Sequence, residues 1–127
     1  MVNKGLCEKI RKTKVEEFVV DWKFKEAIDE LKKFKNIAIK LFSDEKDVET
    51  ISQSIDSVGK VIKKLENIDN LDLIGDTISA WRFIESMLSL ACGNTPYFGN
   101  GDPTSIIGIN LLYNLMEIAL KYRPKSS

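Results

Sequence analysis

Apolar residues recur along most of this chain at steps of three and four, the period of a helix that buries one face. The clearest run is Val48, Ile51, Ile55, Val58, Ile62 and Leu65, spaced 3-4-3-4-3. So narrow a stripe suits packing along one partner helix. It lasts under three heptads, so a bundle seam fits it better than a free coiled coil. Upstream, Phe24, Ala27, Ile28, Leu31, Phe34, Ala38 and Leu41 keep the same period. Val15, Phe18, Val19 and Trp22 lie on a different angle, which predicts a break near Val20 to Lys23 with Asp21 as a fresh N-cap. Thr13 and Glu16 have capping-box spacing and predict a helix start near Lys14.

Ser43 and Asp44 read as cap residues, and Asp44, Glu45 and Asp47 load the following N-terminus with negative charge, which suits the helix dipole. Asn67 to Asn70 punctuates the chain. A helix from about Leu71 to Cys92 follows, stopped by Gly93-Asn94. The last helix opens on Asp102-Pro103, an N-cap followed by proline at the first helical position, and runs to Arg123. Ile106, Ile107, Ile109, Leu111, Leu112, Tyr113, Leu115, Met116, Ile118, Ala119 and Leu120 cover nearly every side of it. A helix apolar all round is normally covered by several neighbours. The expected fold is therefore all-α, a single-domain bundle of four to five helices over 1–127, with this last helix near its centre and frayed ends at 1–12 and 124–127. The 48–65 stripe and the all-round helix together offer more apolar face than one small bundle covers, so a homo-oligomer is a further expectation.

Charge sharpens the picture. Between Ser86 and Met116 the only charged side chain is Asp102. This asymmetry assigns most of the buried mass to the C-terminal third and a water-facing surface to the rest. Residues 1–40 hold 11 Lys/Arg against 7 Asp/Glu, and residues 41–80 hold 4 against 9. A basic face and an acidic middle follow, although the chain as a whole is neutral.

The absence of histidine removes the side chain whose ordinary pKa lies nearest neutrality, and with it the Ser-His and Cys-His nucleophile pairs. No glycine-rich phosphate loop is present. Asp69 to Asp76 does not match a calcium loop, because Gly75 is misplaced and the closing Glu is missing. No cofactor, no metal and no catalytic residue is therefore expected. Two cysteines, Cys7 and Cys92, make no disulfide framework, and both read as reduced core residues in a cytoplasmic setting. The uncharged stretch Pro103 to Met116 is shorter than the roughly 20 residues that span a bilayer, so no membrane is expected.

Three groups of residues remain as candidate surfaces. Tyr97, Phe98 and Asn100 sit in a Gly/Asn/Pro loop, where the two aromatics could anchor a partner. Asp44, Glu45, Asp47 and Glu49 form an acidic group that could meet a basic partner. Lys25, Lys32, Lys33, Lys35 and Lys40 form a lysine face that could touch phosphates, although acidic residues interleave it and no nucleic-acid-binding motif accompanies it. The sequence thus reads as a non-enzymatic protein-binding module, such as a small immunity-type inhibitor or a small helical subunit of a larger complex. The alternative is a nucleic-acid-binding subunit of a ribonucleoprotein assembly that uses the lysine face of residues 23–40.

Overall fold

In a computed structural model, residues 2–95 and 101–124 are described, and they are all-α. The helices are α1 (Lys4–Arg11), α2 (Val15–Val20), α3 (Phe24–Ala38), α4 (Glu45–Leu65), α5 (Leu71–Ala91), α6 (Thr104–Ile107) and α7 (Ile109–Tyr122), with a 3-10 turn at Ile39–Leu41. Helices α2, α3, α4 and α5 close a ring of pairwise contacts, α1 packs on α3, and α7 lies against α4 and α5. The hub is α4, which touches α3, α5, α6 and α7.

That placement follows from the sequence stripe. Ile51, Ile55, Val58, Ile62 and Leu65 are all buried, with Val48 half-buried at the start of the row. Ser54, also buried, satisfies its hydroxyl by donating to the Thr50 carbonyl at 2.8 Å, so the core carries no orphaned polar group there. Phe34 and Trp81 meet edge to face at 4.5 Å between ring centres, both buried. The core draws on α3, α4 and α5 as much as on the C-terminal third, which corrects the expectation that the charge-poor region supplies most of it.

The last helix departs from expectation twice. It is not one helix: Gly108 adopts φ 88° and ψ 149°, a conformation that side-chain-bearing residues rarely reach, and it separates α6 from α7. Nor is α7 central. It packs on one side only, through Leu112, Leu115, Ile118 and Ala119. An all-round apolar composition measures how much surface a helix could bury, and the neighbours available decide how much it does.

Several local signals are realised. Asp44 caps α4 by accepting from the Asp47 amide, and Asn70 caps α5 by accepting from the Leu73 amide. Gly93, at φ 82°, closes α5 in a Schellman motif, in which Asn94 N–H donates to the Ser89 carbonyl and Gly93 N–H to that of Leu90. Others are not. The Thr13–Glu16 capping box does not form: the Thr13 hydroxyl donates backward to the Ile10 carbonyl, and Glu16 binds Arg82. Asp21 does not start α3. It ends α2, followed by Trp22 at φ 61°. Residues 2–12 are tied down rather than frayed, since Asn3 caps α1 and Val2, Cys7 and Ile10 are buried; Met1 and residues 125–127 lie outside the described residues.

The cysteines also need correction. Cys7 of α1 and Cys92 at the end of α5 are joined by a disulfide across 85 residues of sequence, with their Cα atoms 6.0 Å apart.

Candidate functional site

Along α7 a second apolar row runs beside the buried one. Ile109, Tyr113, Met116 and Leu120 are 57%, 59%, 43% and 61% exposed, at steps of four, three and four. This is the spacing of a helix seam, yet among the described residues no helix fills it. The polar row Asn110, Asn114, Glu117 and Lys121 borders it on the side of α4. There a cleft of about 470 Å³ opens between α4 and α7, lined among others by Glu49, Gln53, Asn114 and Glu117. The nearly all-round apolar composition of α7 predicts a place in the core for all of its apolar residues, and the structure leaves this row exposed. Spacing does not separate the exposed row from the buried one, because the buried residues Leu112, Leu115 and Ala119 also step by three and four.

What orients this face is a buried acid. Asp47, 7% exposed, accepts from Lys121 Nζ at 3.0 Å and from the Tyr122 hydroxyl at 2.7 Å. The Tyr122 ring packs edge to face on Phe42 at 4.7 Å. The hydrogen bond to Asp47 holds the Lys121 ammonium above the usual lysine range, and the same partner raises the Tyr122 phenol. Asp47 therefore fastens the C-terminal end of α7 to the first turn of α4.

The candidate acidic group is divided accordingly. Asp44 is a cap, its carboxyl held below the usual range by the Asp47 amide. Asp47 is turned inward. Glu45 and Glu49 remain exposed, and Glu49 accepts from Gln53 at 3.1 Å. Tyr97, Phe98 and Asn100 lie outside the described residues.

The lysine candidates do not gather on one face. Lys33 pairs with Glu30 at 3.4 Å, Lys25 lines a shallow cleft beside Trp22, and Lys40 belongs to the 3-10 turn. Lys32 and Lys35 line a different groove, between α3 and α4, where Lys60 and Lys63 join them. Lys35 ion-pairs with Asp56 at 2.8 Å. Lys60 and Lys63 could not be grouped with Lys32 from the sequence, because a helix packing across about 30 residues brings them together.

A second aromatic feature has no sequence signal. Trp22 is half exposed at a left-handed backbone position that usually carries glycine, and its ring leans on Phe24 at 5.8 Å. Between α2 and α5, Glu16 forms a two-pronged ion pair with Arg82, one contact at 3.2 Å and the other shorter. Nearby, burial pushes the Glu85 carboxyl above the usual range, and the Glu16 and Glu17 carboxylates add to that push.

No helix among the described residues is long and apolar enough to cross a membrane. Among them there is also no group of three or more Cys, Asp and Glu side chains placed to hold a metal ion. Compared with protein-family models, curated proteins and solved structures, the chain matches none.

Proposed function

We propose that this chain is a non-enzymatic protein-binding module, an immunity-type inhibitor or a small subunit of a larger complex. In this reading it offers the Ile109, Tyr113, Met116 and Leu120 row of α7 to a protein partner. The observation that carries the reading is that row itself: four large apolar side chains in one line, each at least 43% exposed. A contiguous exposed apolar patch of this kind marks interaction surfaces more often than it occurs by chance. Asp47 supports the reading by fixing the helix that presents the row.

Photo-cross-linking from position 113 in cells tests this proposal, with position 64, on an exposed face of α4, as the control. A discrete protein adduct from position 113 alone is expected. An adduct of twice the chain's mass would identify a second copy as the partner. No adduct, or the same adducts from both positions, rejects the proposal.

Nucleic-acid binding through Lys25, Lys32, Lys33, Lys35 and Lys40 is the alternative, and it is less well supported because those lysines point to separate surfaces. Titration with RNA and DNA at two salt concentrations checks it, since phosphate contacts produce a steep salt dependence. The cytoplasmic setting expected from the sequence and the Cys7–Cys92 bond pull in opposite directions, because disulfides persist mainly in oxidising compartments. Thiol labelling of the protein in its own cells decides between them.

A further inference from the structure

The groove between α3 and α4 is floored by Ile28, Leu31 and Ile55 and encloses about 280 Å³. It stays open because α4 carries glycine at position 59. A Cβ there would stand 3.3 Å from Leu31 Cδ2, in the gap itself. The Lys35–Asp56 ion pair closes one end. Beyond it, Lys32 rises from α3 and Lys60 and Lys63 from α4, all three exposed. Among the described residues these three make no ion pair, whereas Lys33 and Lys35 on the same helix do.

We propose that this groove docks an acidic amphipathic helix of a partner protein. The apolar floor requires an apolar ridge, and the lysines on both rims require carboxylates on both sides of that ridge. A helix with acidic residues flanking an i, i+3/i+4, i+7 apolar row meets both demands. From Ile28 to Lys35 the groove runs about 10 Å at the helical rise, enough for two turns of such a helix. A single-headed lipid anion would satisfy one rim and leave the other. A nucleic acid would bring phosphates but no apolar ridge, and the groove lining contains no aromatic on which a base could stack. The proposal rests on the reading of the chain as a protein-binding module, but it shares no residue with the α7 row.

The test uses a synthetic helical peptide with leucine on one face and glutamate on both flanks, titrated by fluorescence anisotropy. A matched peptide with lysine flanks, dodecanoate and a dT oligonucleotide serve as comparisons. The glutamate peptide is expected to bind, the lysine peptide not. Lys60→Glu with Lys63→Glu should weaken binding about tenfold, since opposed charges are replaced by like ones. Gly59→Met should block the groove, and the lysine pair keeps the test valid if that variant does not fold. Failure of the glutamate peptide to bind overturns the proposal. So does binding that ignores the lysine reversals, or tighter binding of dodecanoate or the oligonucleotide in the groove. If the peptide fails while position 113 still cross-links a partner, the groove assignment falls and the binding-module reading stands.

Discussion

Tyr122 donates its phenolic hydrogen to the Asp47 carboxylate across 75 residues of sequence. Lys121, its neighbour, reaches the same oxygen, Oδ2. One buried acid thus holds two consecutive residues of α7 against α4.

Replacing Asp47 with alanine leaves the Tyr122 hydroxyl without its protein acceptor and is expected to cost about 1–3 kcal/mol in urea unfolding. The pH dependence follows from the raised pKa values of Lys121 and Tyr122. Both groups keep their protons longer in the folded chain. Their contribution is therefore complete below the ordinary values of 10.5 and 10.0 and fades as pH rises through the folded values. Stability of the wild type should fall towards that of the alanine variant only in strongly alkaline buffer. A gap between the two that is unchanged there would contradict this account.

Gly101 lies flat on α5. A Cβ at that position would come within 2.0 Å of Ser79 Oγ, and its φ of 140° is one that L side chains rarely adopt. Gly101→Ala should destabilise by about 1–3 kcal/mol. Ser79→Gly in the same chain should recover the steric part of that loss and none of the backbone part, so a double-mutant cycle measures the two separately.

Trp22 and Gly93 occupy the same position in two Schellman motifs, one at φ 61° and the other at φ 82°. A left-handed conformation costs a side-chain-bearing residue about 1–2 kcal/mol. Trp22→Gly is therefore expected to be more stable than Trp22→Ala by about 1 kcal/mol, both having lost the contact with Phe24. Equal stability of the two variants would show that the backbone there is unstrained.

Glu85 is penalised in the folded state because burial and the Glu16 and Glu17 charges disfavour its ionised form. Its folded pKa lies above the ordinary 4.5, so the penalty is absent below that value and complete above the folded one. Glu85→Gln should raise the thermal midpoint at neutral pH and leave it unchanged at about pH 3.5, where both forms are neutral. A gain of equal size at both values would point to packing as its source.

These residues also show what the chain states openly. The 48–65 row, the Asp44 and Asn70 caps and the Gly93 stop are local, and each needs only its neighbours within one or two turns. The Cys7–Cys92 bond, the Asp47 pin and the lysine rims depend on partners 20 to 85 residues away in sequence, which periodicity does not report. Thr13 and Glu16 have the right spacing for a box, but a cation 66 residues downstream outcompetes the local amide for the Glu16 carboxylate. The exposure of the α7 row is not legible in the sequence, because apolar composition does not say which neighbours are present to cover it. Trp22 left no trace, since nothing about tryptophan signals a left-handed position.

The Cys7–Cys92 bond also sets how the molecule would carry load. Pulled from its two ends, the chain transmits tension from α1 straight through the disulfide to the end of α5. Helices α2 to α5 lie off that path and bear no direct strain. The few residues before Cys7 and the segment after Cys92, with α6 and α7, can be drawn out, and a fastening that resists in the longer one is Asp47 on Lys121 and Tyr122. Under oxidising conditions the extensible parts of this protein are therefore the six residues before Cys7 and the 35 after Cys92 (127 less 92), the longer of which carries the exposed apolar row.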